Sequence, residues 1–314
     1  MTTYKGIKGL GIQSITSDAV TSQAGGGTWA SGGNMNTGRM EGGASKGGTQ
    51  SATIAIGGFT HPPTTRLAIT ESYDGSSWTE VADLNTARSS MAGIGTSTAT
   101  LAAGGELPGS NTDINESFDG SSWTEVGDLN QPRRELDGCG TSTAALAISG
   151  ATGPPKHTNV ESWNGSSWTE IPDVNTSVSN HGAAGTSTAG IKFGGNGPEG
   201  ETETWNGTAW TETANVNTAR IELTGSGSND SAGIVFGGFS HPPDTYHAIT
   251  ESWNGTAWTE VADLGTARQA ISGSSVTGNT SALVAAGYTG TAYSAATEAW
   301  TVPEALKTLA STNA

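Results

Sequence analysis

The chain is short of several things at once. Across 314 residues it has one cysteine, four methionines, five tyrosines and five phenylalanines, and only 13% of its residues are charged. A single cysteine, Cys139, can form neither an internal disulfide nor a cysteine-rich zinc site. Thirteen Lys and Arg against 29 Asp and Glu leave a net charge of −16, so the basic stripe that grips nucleic-acid phosphates is missing. No stretch approaches the roughly 18 consecutive apolar residues of a transmembrane helix. The opening residues, MTTYKGIKGLGIQSITSD, lack the apolar core of a secretory leader. Neither nucleic acid nor membrane insertion is therefore expected. Long helices are not expected either, because Gly, present 47 times, and the abundant Thr are poor helix formers.

What the chain has is repetition, and tryptophan. Glu71 to Arg88 reads ESYDGSSWTEVADLNTAR. Close copies start at Glu116, Glu161, Glu203 and Glu251. The second aromatic of the copies is Trp78, Trp123, Trp168, Trp210 and Trp258, giving steps of 45, 45, 42 and 48 residues. That period fits a four-stranded propeller blade of roughly 40–50 residues. The ends supply a sixth copy in two halves: TWASGGNMNTGR around Trp29 carries the second half, and TEAW ending at Trp300 carries the first. All ten Trp fall on the two repeat positions: Trp29, Trp78, Trp123, Trp163, Trp168, Trp205, Trp210, Trp253, Trp258 and Trp300. Tyr73 and Phe118 fill the other two.

One unit reads as four strands: Arg88 to Gly95, Thr98 to Gly105, Asp113 to Phe118 and Ser122 to Gly127. Asp119-Gly120 predicts a tight type I′ hairpin, in which both central residues take positive φ. The fold class expected is all-β, a six-bladed propeller spanning residues 27–302. Its sixth blade closes by joining the N-terminal strand at Trp29 to the C-terminal strands. Closure removes the free edges that invite aggregation. The Trp pairs are expected to fill the space between blades. Gly pairs ending the second strands, such as Gly57-Gly58 and Gly104-Gly105, are expected where backbones approach closely.

A double Gly ending a strand, then a loop, an aromatic strand and a Trp five residues on, resembles the kelch repeat of galactose-oxidase-type propellers. The wording W-N-G-[ST]-x-W-T-E with N-T-A-R further resembles kelch-like propellers encoded by marine bacteriophages, cyanophages especially. The resemblance is specific for fold and weak for function, since propellers host many activities. It implies a non-enzymatic virion component, located in the phage particle, on its tail or capsid. A carbohydrate-binding, lectin-like bacterial propeller is the alternative. The partners implied are other virion proteins and, beyond them, a host-surface glycan.

Catalytic signals are missing. Galactose oxidases hold copper with two Tyr and two His, one Tyr being cross-linked to Cys. Here His61, His157, His181, His241 and His247 are scattered over different blades. Cys139 sits in DGCGTS, where an inner strand calls for a small buried residue. SYDGSSW is one residue short of a sialidase Asp-box, and no G-x-S-x-G elbow occurs. No catalytic residue, metal or cofactor is expected.

Binding is expected on the face that carries the N-T-A-R turns and the variable loops between second and third strands, because variable loops on a rigid scaffold commonly carry function. The candidates there are Phe59, His61, Phe239, His241, Tyr246, His247, Tyr288 and Tyr293. The near-identical loops GGFTHPP and GGFSHPP fit either blade duplication or two copies of one ligand pocket. Repeat Arg39, Arg88, Arg133, Arg220 and Arg268 are expected to find a carboxylate or carbonyl of the repeat, rather than to form an anion-binding ring; Val178 breaks their series. Glu80, Glu125, Glu170, Glu212 and Glu260 read as a solvated outer edge. Ahead of the propeller, residues 1–26 form an arm whose Tyr4, Ile7, Leu10, Ile12 and Ile15 would anchor it to a virion partner by strand addition, the alternative being a loose leader. Residues 303–314 form a short C-terminal tail.

Overall fold

The computed structural model describes residues 26–196, 200–274 and 278–303. The arm residues Tyr4, Ile7, Leu10, Ile12 and Ile15, and nearly all of the C-terminal tail, lie outside the described residues.

The chain forms six four-stranded antiparallel sheets arranged as a six-bladed β-propeller. Blade 1 runs Gly43–Ala44, Thr53–Ile56, Thr70–Tyr73 and Trp78–Glu80. Blade 2 runs Ala92–Thr96, Ala99–Ala103, Asn115–Phe118 and Trp123–Glu125. Blade 3 spans Asp137–Thr141 to Trp168–Ile171, blade 4 Gly182–Gly185 to Trp210–Thr213, and blade 5 Thr224–Asn229 to Trp258–Val261. Blade 6 takes Ser272–Ser274, Ser281–Ala285 and Thr297–Thr301 from the end of the chain. Its fourth strand is Thr28–Ser31, paired so that Trp29 lies opposite Trp300. The first strands neighbour one another around the axis and the ring is closed.

Apolar burial occurs between blades. Each of the six core clusters joins the inner strands of one blade to the aromatic pair of the next: Ile94 and Leu101 of blade 2, for instance, pack with Trp163 and Trp168 of blade 3. The two aromatics of a blade lie opposite each other across its outer strand pair, with ring centroids 5.0–5.6 Å apart. The outer indole N–H also reaches the preceding blade. Trp78 donates to Thr297, Trp123 to Thr70, Trp258 to Thr202 and Trp29 to Thr250, at 2.9–3.2 Å. In blades 2 and 3 that threonine position is occupied by Asn115 and Val160. There the indole N–H groups of Trp168 and Trp210 are buried without a partner.

The N-T-A-R turn serves as a bolt. Arg39, Arg88, Arg133, Arg220 and Arg268 are fully buried and pair with Glu71, Glu116, Glu161, Glu251 and Glu298 of their own blades. The same carboxylate holds the turn: Glu116 accepts from the backbone and side-chain nitrogens of Asn85, at 2.7 and 2.8 Å. Where Val178 breaks the arginine series, Lys192 from the adjacent strand pairs with Glu203 at 3.1 Å. The buried cation is thus kept although its position in the sequence changes.

The arginine carbonyls tie blade to blade. Gly105 N–H donates to Arg133 at 2.8 Å, Gly58 to Arg88, Gly195 to Arg220, Gly238 to Arg268 and Gly287 to Arg39. The residue before each of these glycines is left-handed in every blade. Gly57 and Gly104 take φ 55 and 66, and Ser149 and Ala286 take 52 and 63 where the first glycine is replaced. A Cβ at Gly57 would approach the Arg88 carbonyl to 2.6 Å, so glycine is kept there for space as well as for φ.

Two sequence expectations need correction. The first strand of blade 2 begins at Ala92 rather than Arg88, because Ser90 takes φ 56 and turns the chain at the axis. The Asp-Gly hairpin is not type I′. Phe118 pairs with Trp123 across a four-residue loop, and only Gly120 has positive φ. Asp119 instead turns the chain through its side chain, accepting from the N–H groups of Ser121 and Ser122 at 2.8 Å. The Ser121 hydroxyl, which donates to the same carboxylate at 2.8 Å, and then these two N–H groups hold Asp119 down to about 2.

Candidate functional site

The axis opens on the loop face through a ring that the fold builds from one position per blade. Two residues after each bolt position stand Glu41, Ser90, Glu135, Asn180, Glu222 and Ala270. All six are left-handed, with φ between 52 and 57. Each donates its backbone N–H to the carbonyl of the one before it, at 2.8–3.0 Å, and Glu41 closes the circle on Ala270. Six positive-φ residues other than glycine are an uncommon concentration.

The side chains on this ring alternate. Blades 1, 3 and 5 contribute Glu41, Glu135 and Glu222, and blades 2, 4 and 6 contribute Ser90, Asn180 and Ala270. The neutral neighbour serves the carboxylate wherever it can. Ser90 donates to Glu41 at 2.5 Å and Asn180 to Glu135 at 3.0 Å. Ala270 has nothing to donate, and Oε2 of Glu222 is buried without a partner. Burial raises the Glu41 carboxyl above the usual range, the Ser90 bond opposing it. Burial, then the charges of Glu41 and Glu135, raise Glu222 to about 7.

The ring lines the mouth of an open cavity of about 90 Å³. Lys46 reaches into it from blade 1. Its ammonium donates to Asp137 at 2.6 Å and to Thr224 at 3.0 Å, and Asp137 in turn accepts from the Ala183 N–H at 2.8 Å. His181 lines the same cavity, is only 4% exposed, and has no hydrogen-bond partner at either ring nitrogen. Burial, then Lys192 and Lys46, lower its pKa well below the ordinary value, so the imidazole is neutral.

Around the mouth the rim divides in two. Over blades 5, 6 and 1 lies a continuous arc of half-buried aromatics. Phe239 meets Tyr246 at 5.2 Å between centroids, Tyr246 meets Tyr288 at 5.9 Å, Tyr288 meets Tyr293 at 5.2 Å, and Tyr293 meets Phe59 at 6.1 Å. The Arg66 guanidinium caps the end of the arc, 5.0 Å from the Phe59 ring centre. Burial first, then neighbouring charge, raises the Tyr246 and Tyr293 hydroxyls, with Glu222 among the charges acting on Tyr246 and Glu41 among those acting on Tyr293. Over blades 2 and 3 the rim is ionic: Arg66 pairs with Glu106 at 2.8 Å, Glu106 with Arg134 at 2.7 Å, and Arg134 with Glu135 at 3.2 Å.

Five of the eight candidate binding residues thus come together: Phe59, Phe239, Tyr246, Tyr288 and Tyr293. The three histidines do not join them. His61 bonds Thr64 at 3.0 Å and His241 bonds Asp244 at 2.5 Å, each at an exposed loop tip. His247 bonds Ser240 at 2.9 Å beside its own strand. The two GGF-x-HPP loops belong to blades 1 and 5, with blade 6 between them. Cys139 is fully buried on the first strand of blade 3, with its thiol pushed up to about 12 by burial. Glu80, Glu125, Glu170, Glu212 and Glu260 are exposed on the fourth strands.

Sequence reasoning missed Glu41, Glu135, Glu222, Lys46 and passed over His181. The available signal was the constant offset of two residues from the bolt, hidden because the residues at that offset differ. Among the described residues no group of three His, Cys, Asp or Glu side chains is placed to hold a metal ion. No family model matches the chain, and no curated protein matches it in sequence.

Proposed function

We propose that this propeller is a non-enzymatic binding disk of a bacteriophage particle, kelch-like in its repeat, which meets a glycan of the host surface with its loop face. The observation that supports binding is the arc of five half-buried rings on one side of the axial mouth. Rings open to solvent, fixed by their neighbours and bordered by acceptors, suit the apolar faces and hydroxyls of a sugar. Aromatics that ring-stack on one another lose little further freedom when a ligand settles on them. The phage setting, the kelch-like reading and the partner role of residues 1–26 rest on the sequence resemblance and on the wording of the repeat.

Two measurements test the two parts. A glycan array probed with the wild-type protein and with a Tyr246→Ser/Tyr288→Ser variant tests the face; retention of particular glycans by the wild type alone is expected, and no retention sinks the glycan. Mass spectrometry of density-purified phage particles tests the setting. Recovery in stoichiometric amount is expected, and presence only in the cell lysate sinks the virion role. In that case glycan retention on the array favours the second reading, a lectin-like bacterial propeller, for which the same arc speaks.

A further inference from the structure

The axial mouth carries an unmet demand for hydrogen-bond donors. Each ring carboxylate has a neighbour on the next blade at the same left-handed position. Glu41 has Ser90 and Glu135 has Asn180, but Glu222 has Ala270, which offers no donor. On the wall of the same cavity, buried neutral His181 has no partner in the chain at either ring nitrogen, and one of the two is free to accept an N–H. A buried polar atom left unpaired costs on the order of 1–3 kcal/mol, so two such residues around one opening call for a ligand that supplies N–H groups.

We propose that the axial mouth is a binding site for a primary ammonium group, with Glu222 Oε2 and the His181 imidazole accepting its N–H donors and Glu41 and Glu135 supplying the surrounding negative charge.

The chemistry narrows the choice. An anion is refused by three carboxylates. A bare metal ion is not served, since no three ligating side chains among the described residues converge. Lys46 is not a competitor for the mouth, because its ammonium is already engaged by Asp137 and Thr224 on the cavity floor. A primary ammonium has three N–H donors, each strengthened by the charge. Its carbon body would leave the mouth toward the side where Tyr246, Tyr288 and Tyr293 present their rings, and a cation near such faces is further stabilised. The site does not require the arc to hold a sugar, so it stands or falls separately from the glycan.

The test uses the 314-residue chain and butylammonium chloride at pH 8, where Glu222 is ionised, with butanol and calcium chloride as controls. Saturable binding of butylammonium by titration calorimetry is expected, with butanol at least about tenfold weaker because it lacks the charge. Two variants locate the site. Glu222→Gln removes the charge. Ala270→Ser supplies Glu222 with the donor that Ser90 already gives Glu41, at a φ of 52 against Ser90's 56. Each is expected to weaken butylammonium by about tenfold. Thermal melting of both variants checks that they fold. Butylammonium binding that is absent, equalled by butanol, abolished by calcium at equal concentration, or indifferent to both substitutions would overturn the proposal.

Discussion

The bolts and the rim lie a few residues apart in every blade, yet they treat charge differently: every bolt cation has its carboxylate, with single N–H groups of Arg39, Arg133, Arg220 and Arg268 left over, whereas the rim residues change from blade to blade. At the bolt each buried cation has its carboxylate, and each carboxylate is further used by the turn it holds. Where the arginine is lost at Val178, Lys192 restores the charge from another strand. At the rim the same six-fold frame carries different residues in every blade, and there a carboxylate oxygen and an imidazole are left without partners. A frame that repairs a missing arginine but leaves Glu222 unserved separates two kinds of position: those whose charge the repeat keeps and those it lets vary from blade to blade. Natural sequences depart from internal consistency mainly at functional sites.

The comparison is broken most strongly at a bolt. Glu161→Ala leaves Arg133 buried and unpaired, which is expected to cost roughly 3–5 kcal/mol, read as a large drop in the urea midpoint. The wild-type pair itself is worth less than that figure, because much of the loss is the stranded charge.

The rim should respond in the opposite direction. Glu222 sits at about 7 in the folded protein, above its ordinary 4.5, so the folded state holds the proton more tightly than the unfolded chain. The stability this provides is full below about pH 4.5 and is lost as the pH rises through 7. Glutamine cannot ionise. Glu222→Gln is therefore expected to change little at pH 4 and to stabilise the protein by roughly 3 kcal/mol at pH 8. Paired thermal melts at the two pH values check it, and equal shifts at both would mean that the carboxylate bears no ionisation cost.

The frame also has two gaps that can be filled. Val160→Thr places a hydroxyl where Thr202 serves Trp258, within reach of the unpaired Trp210 indole. A gain of roughly 1 kcal/mol is expected, measured against Thr202→Val, which removes the equivalent bond from Trp258 and should lose about as much. The smallest stability effect belongs to the arc. Tyr246→Ser/Tyr288→Ser touches half-buried rings and no bolt, so melting should change less than for Glu161→Ala while any ligand affinity falls.

Periodicity explains what could be read in the sequence. The ten tryptophans, the blade period and the closure of blade 6 through Trp29 and Trp300 recur or complete a recurrence, and the structure holds them as read. That the repeat arginines meet a carboxylate or carbonyl of the repeat is legible for the same reason, and the structure supplies the pairing of Arg88 with Glu116. Where one function is carried by different residues, the repeat hides it. Lys192 stands 14 residues beyond the Val178 it compensates for, and the ring position reads Glu, Ser, Glu, Asn, Glu, Ala. The hairpin at Asp119 was misjudged because an Asp-Gly pair permits two turn chemistries, and two serines following it supply the N–H groups that favour the side-chain one. Phe59, Tyr293, Tyr288, Tyr246 and Phe239 were each visible as loop aromatics. Their union into one arc depends on side-chain contacts between loops of different blades, Tyr246 on Tyr288 and Tyr293 on Phe59, which periodicity does not report.

The central claim is that the frame carries stability and the aromatic side of the rim carries binding. The most direct test is titration of the best-retained array glycan into the wild type and into Tyr246→Ser/Tyr288→Ser, at matched folded concentration. Loss of two stacking rings should weaken binding by about tenfold or more. Equal affinity in the two proteins would contradict the account and move the binding surface off this face.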